Sequence, residues 1–100
     1  MFKKLESWVN GWGKDRGITV NGKSMAQAIK TLEETTELLD AINRKDTKAM
    51  KDAIGDIVVT LMMTCEIENT SIEECLGLAW EEIKDRKGYL REDGTFIKEV

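Results

Sequence analysis

A chain of 100 residues with no Pro, no His and two Cys, carrying a formal charge of −4 at pH 7 and an isoelectric point near 4.9, excludes several classes of protein at once. Its acidity argues against nucleic acid as a partner, because phosphate contacts need a basic patch, and without His a tetrahedral zinc site built from Cys and His is ruled out. The length suits one domain over residues 1–100, near the size at which small domains gain stability by oligomerising.

Charged residues make up 34% of the chain and apolar residues recur with a helical period, so helices joined by short turns are expected. The first helix is predicted over about residues 2–16, where Leu5, Trp8, Val9 and Trp12 fall on one face. Gly17 supplies a left-handed stop, and residues 18–22 read as a short loop with a turn at Asn21-Gly22. Ser24 is the expected cap of a second helix over 24–43, with Met25, Ile29, Leu32, Leu39 and Ile42 as its buried stripe. After a turn at 43–46, Asp46 or Thr47 caps a third helix over 47–68, the most apolar of the set. Ser71 and Glu74 have the spacing of a capping box for a fourth helix over 71–87, whose core side is Ile72, Cys75, Leu76, Ala79, Trp80 and Ile83. The tail 88–100, with Asp93-Gly94 between two short stretches, reads as a small hairpin or extended arm. The predicted fold is all-α, a four-helix antiparallel bundle that oligomerises.

Residues 1–7 lack the apolar core of a signal peptide, and the apolar run 57–63 is too short to span a bilayer. A soluble protein with no membrane partner is therefore expected. Cys65 and Cys75, each inside a helical pattern, read as small buried hydrophobes in a reducing, cytoplasmic setting.

The chemistry concentrates in two acidic segments. On the second helix Glu34 and Glu37 are about 60° apart, Asp40 continues their row, and Glu33 with Glu37 forms an adjacent one. On the third helix Asp52 and Asp56 project within about 40° of each other, and beyond Asp56 the helix is apolar on both sides. A solvated acidic face accounts for the first cluster alone. Asp56 is different, because an ionised carboxylate next to so much apolar surface needs a cation, a basic side chain or a set of donors. A hard divalent cation meets that need; Mg²⁺ takes oxygen ligands, keeps several waters and bridges carboxylates to phosphates, with Mn²⁺ as a substitute. Acids from two facing helices are a common way to build such a site. The competing reading is a non-catalytic helical interaction module whose acids are surface or interface charges.

Leu32-Glu33-Glu34-Thr35-Thr36-Glu37-Leu38, followed by Ile54-Gly55-Asp56-Ile57, resembles the MazG-like all-α nucleoside triphosphate pyrophosphohydrolases, whose pattern is Glu-Glu-x-x-Glu on one helix and Glu-x-x-Asp on the next. The likeness runs from about Trp12 to Lys98 and takes in Gln27, Lys30, the segment 83–88 and the segment 94–98. It departs at Ala53, where the family has Glu, and Asp52 stands beside it as the replacement. By this resemblance the reaction is Mg²⁺-dependent hydrolysis of a (deoxy)nucleoside triphosphate to the monophosphate and pyrophosphate, weakened by Ala53. It also implies a homodimer or homotetramer with sites near helix interfaces. Glu34, Glu37, Asp52 and Asp56 are the implied metal ligands, with Glu33 orienting the site or the attacking water alongside Glu34, Glu37 and Asp56 as catalytic residues.

Lys84, Arg86, Lys87 and Lys98 are candidates to contact phosphates, Arg86 by bidentate binding; ordinary placement of cations at a helix C-terminus is the alternative. Lys30 joins Lys84, Arg86 and Lys98 as a candidate substrate contact through the family pattern. Trp8, Trp12 and Trp80 fit core or interface packing, and Trp12 is the best placed of them to stack on a nucleobase.

Overall fold

The computed structural model describes residues 1–99; Val100, the end of the expected tail, lies outside the described residues. Five helices are followed by a strand pair: α1 (Phe2–Asp15), α2 (Ile18–Asn21), α3 (Ser24–Asn43), α4 (Thr47–Ile67), α5 (Ile72–Ile83), β1 (Gly88–Leu90) and β2 (Phe96–Lys98). The all-α class and the C-terminal hairpin are those expected from the sequence. None of the described helices is long and apolar enough to cross a membrane.

Local chemistry sets the boundaries. The Asp46 carboxylate accepts from the Ala49 N–H at 3.0 Å and starts α4, and the Ser71 hydroxyl accepts from the Glu74 N–H at 3.1 Å and starts α5. Glu74 does not complete a capping box; its carboxylate takes the Thr70 hydroxyl instead. Both long helices end in the same way, with Lys45 (φ 58°) and Asn69 (φ 57°) in the left-handed region. The next N–H in each case reaches back, Asp46 to the Ala41 carbonyl at 3.0 Å and Thr70 to the Cys65 carbonyl at 2.9 Å, which satisfies carbonyls the helix leaves open.

Three boundaries differ from expectation. Residues 18–21 form one helical turn rather than a loop: Gly17 at φ 77° redirects the chain, and the Asn21 N–H then bonds the Gly17 carbonyl at 2.9 Å. A turn that short has no periodicity to read. Ser24 is the first residue of α3 rather than its cap, a position that falls on Lys23 without any side-chain bond. Helix α5 stops at Ile83, so Lys84, Arg86 and Lys87 belong to the connection into the hairpin.

The centre of the fold is the antiparallel pair α3 and α4, with α1, α2 and α5 laid against α4. Ala41, Ala53, Met62, Met63 and Cys65 form the buried apolar core. Gly13 is buried where α1 crosses Met63; a Cβ there would come within 2.3 Å of the Met63 sulfur, so the close approach depends on glycine. The expected stripe of α3 is not in this core. Met25, Ile29, Leu32, Leu39 and Ile42 are exposed in the single chain, and the side facing α4 carries Thr31, Glu34 and Ala41. The core side expected for α5 is likewise exposed at Cys75, Leu76, Trp80 and Ile83, as are Trp8 and Trp12 on α1.

Candidate functional site

Helix α3 turns Glu34 inward because Thr31, one turn earlier, is tied to α4 through the Thr60 hydroxyl at 2.8 Å. Asp56 lies one turn before Thr60 on α4 and meets Glu34 across the helix pair. Glu34, Glu37 and Asp56 each offer one carboxylate oxygen within 4.8 Å of the other two. Glu34 is 8% exposed, Asp56 is half-buried and Glu37 opens to solvent.

Electrostatics show a site short of positive charge. One Glu34 oxygen lies 3.7 Å from the Lys30 ammonium, while its Oε2 is buried without a hydrogen-bond partner. The neighbouring Glu37 carboxyl, then burial, raises the Glu34 carboxyl above its ordinary pKa. Burial, then the charges of Asp52 and Glu34, raises that of Asp56. Carboxylates so arranged bind protons more tightly than usual and offer hard oxygen donors to a divalent cation.

The remaining acids flank this trio. Glu33 is exposed and pairs with Lys30 at 3.3 Å. Asp52 is exposed and outside the trio, yet it borders, with Glu37, Asp40, Arg44 and Ala53, a concavity beside it. Arg44 in that concavity bonds Asp40 at 2.9 Å and Asp46 at 3.2 Å. As a turn residue it drew no functional reading from sequence, and its i,i+4 spacing from Asp40 was the available signal.

Trp12 stands near the acids: with Trp8, Val9 and Val59 it lines an open cleft that has Asp56 in its wall. The Arg16 guanidinium covers the Trp12 ring at 4.7 Å. Lys84, Arg86 and Lys98 are exposed and lie outside this cleft. Lys84 pairs with Glu81 at 2.7 Å, Arg86 lines a concavity with Lys87, Tyr89 and Phe96, and Lys98 sits on β2 opposite Gly88. The structure thus brings Lys30, Glu34, Glu37, Asp56 and Trp12 into one neighbourhood and leaves the C-terminal cations in another.

Neither a curated protein nor a solved structure gives a significant match to the chain. The model of the MazG nucleotide pyrophosphohydrolase domain matches residues 23–90, more than half of the chain and a span that holds every acid of the site. The chain belongs to the MazG nucleotide pyrophosphohydrolase domain family.

Proposed function

We propose that the chain hydrolyses a nucleoside or deoxynucleoside triphosphate to the monophosphate and pyrophosphate, with Glu34, Glu37 and Asp56 holding Mg²⁺, or Mn²⁺ in its place. The observation that carries this reading is the buried, partnerless Oε2 of Glu34, in a carboxylate that offers one oxygen within 4.8 Å of oxygens of two more. A buried carboxylate oxygen without a donor is costly, and a cation removes that cost. When bound, such an ion polarises phosphoryl oxygens and lowers the pKa of an attacking water.

The protein's own residues supply the rest. Asp52, beside the trio, acts through a water in place of the Glu absent at Ala53. Glu33 lies at the outer edge of the site, where its carboxylate orients water. The Trp8 and Trp12 cleft beside Asp56 suits a nucleobase, with Trp12 stacking on it. Lys30 neutralises phosphate charge at the acids. The exposed stripe Met25, Ile29, Leu32, Leu39 and Ile42 is the face through which copies of the chain form a homodimer or homotetramer.

That same stripe favours one competing reading, a helical interaction module without catalysis. Titration with Mg²⁺ and Mn²⁺, with pyrophosphate release measured over a panel of NTPs and dNTPs, separates the two. Metal-dependent release that disappears in Glu37→Gln and Asp56→Asn is the expected result. No metal-dependent release, together with metal binding unchanged in both variants, overturns the proposal.

A further inference from the structure

Arg16 follows the last residue of α1, and its guanidinium is held at two points on Trp12. Its carbon centre stands 4.7 Å from the centre of the indole ring, and its Nη1 donates to the Trp12 carbonyl at 3.4 Å. Gly17, in the left-handed region at φ 77°, then turns the chain away, so Arg16 reaches back one turn along α1. Trp12 also lines, with Trp8, Val9, Val59 and Asp56, a cleft of about 380 Å³ whose lining does not include Arg16. The ring therefore carries a cation on one side and offers another side to the cleft. Gly13, the next residue, is buried against Met63 of α4. Backbone and ring of Trp12 are thus both set before a ligand arrives, which lowers the ordering cost of binding.

The lining also limits how a base is read. Apart from the two indole N–H groups and Asp56, one of the three grouped acids, none of these side chains forms a hydrogen bond. Strong discrimination between bases needs polar groups that the wrong base leaves unpaired. Stacking is tolerant of the base's edge and follows stacking strength, and a purine presents two fused rings where a pyrimidine presents one. We propose that Arg16 is a positioning residue that holds Trp12 as a stacking platform, and that this platform makes the site favour purine over pyrimidine nucleotides. The inference rests on the reading of Trp12 as the nucleobase contact. Asp56 belongs to both the cleft wall and the acid group, so a base in the cleft has its phosphates beside the acids. Arg16 itself acts only through the ring.

The test measures calorimetric dissociation constants of the full chain for dAMP, dGMP, dCMP and dTMP without metal, and kcat and KM for the matching triphosphates with Mg²⁺. Wild type is expected to bind the two purine nucleotides about three- to tenfold more tightly. Arg16→Met keeps an apolar stem without the charge. It should weaken purine binding about threefold, narrow the gap to pyrimidines and raise the purine KM with kcat unchanged. Arg16→Lys keeps the charge and most of the preference, and Trp12→Leu abolishes it. No purine preference in wild type, a preference that survives Trp12→Leu, or an Arg16→Met variant that matches wild type overturns the inference. Equal weakening for purines and pyrimidines in Arg16→Met also overturns it, because that is the mark of a general structural loss. Absence of metal-dependent pyrophosphate release alongside the expected binding pattern overturns hydrolysis and leaves the stacking platform standing.

Discussion

The hydroxyls of Thr31 on α3 and Thr60 on α4 lie 2.8 Å apart, and this contact sets the register on which the acidic site depends. Glu34 is three residues beyond Thr31 and Asp56 four residues before Thr60; in antiparallel helices both steps are about one turn in the same direction. One hydroxyl donates to the other, and the accepting one spends its own proton on its helix, Thr31 on the Gln27 carbonyl or Thr60 on the Ile57 carbonyl. Thr60→Val keeps the side-chain shape and removes the bond, so it is expected to destabilise the fold by about 1 kcal/mol. Thr31→Val combined with Thr60→Val should cost less than the sum of the single changes. Urea unfolding of the four proteins measures the coupling, and strictly additive losses would assign the register to other contacts.

In the metal-free protein Glu34 and Asp56 should contribute less stability as pH rises out of the acid range, opposite in sign to Asp46 and Asp93, whose carboxyls are held below their ordinary values. Glu34 and Asp56 have folded-state pKa values raised from 4.5 and 3.8, so the folded state holds protons more tightly than the unfolded chain. Their stabilising contribution is complete below those ordinary values and disappears as pH climbs through the raised ones. Glu34→Gln cannot ionise and should flatten that slope, leaving the variant more stable than wild type at neutral pH when no metal is present. Adding Mg²⁺ should stabilise the wild type and leave Glu34→Gln with a smaller gain. Thermal melts over a pH series, with and without metal, show both signs directly.

Two glycines of α1 should respond in opposite directions to alanine. Nothing lies within 4 Å of a Cβ at Gly11, so Gly11→Ala is expected to stabilise by up to about 1 kcal/mol through helix propensity alone. At Gly13 the new carbon meets the Met63 sulfur at 2.3 Å and its methyl carbon at 2.8 Å, in a side chain that is fully buried. The clash should outweigh the propensity gain and leave Gly13→Ala destabilised by about 1–3 kcal/mol. Denaturant melts check the pair, and in a Met63→Ala background, where space is open, Gly13→Ala should cost less than it does in the wild type.

Much of this architecture was legible because short-range chemistry carries it. The Asp46 and Ser71 caps, the glycine stop at residue 17 and the hairpin around Asp93-Gly94 are local signals, and each marks a real boundary. The acidic pattern was legible for a similar reason, since the i,i+3 step from Glu34 to Glu37 and the apolar surroundings of Asp56 are fixed by helix geometry. What the pattern could not give was the direction in which each helix faces. Apolar periodicity in α3 selects Met25, Ile29, Leu32, Leu39 and Ile42, but the single chain buries Glu34 and Ala41 and ties Thr31 to Thr60. A helix with two usable faces presents its most apolar one outward when its small and polar face is the one that fits α4. The same ambiguity made Cys75 look buried.

Ala53 stands where the resemblance read from the sequence leads one to expect Glu, and its surroundings give that difference a measurable consequence. It is buried on α4, next to the exposed Asp52 and facing the concavity that Glu37, Asp40 and Arg44 complete. A Glu built there has a longer reach than Asp52 and starts one position closer to Asp56, so its carboxylate enters the acidic neighbourhood from the α4 side. Without metal, Ala53→Glu adds a negative charge to groups that already repel one another and should destabilise the fold. With Mg²⁺ the added ligand should reverse that sign, tighten metal binding and raise pyrophosphate release by about tenfold or more, as removing or restoring a ligand's support does at metal sites. Calorimetric Mg²⁺ titration alongside the release assay distinguishes the cases. If binding tightens while release stays flat, Ala53 tunes affinity alone; if neither changes, Asp52 already fills the ligand's role.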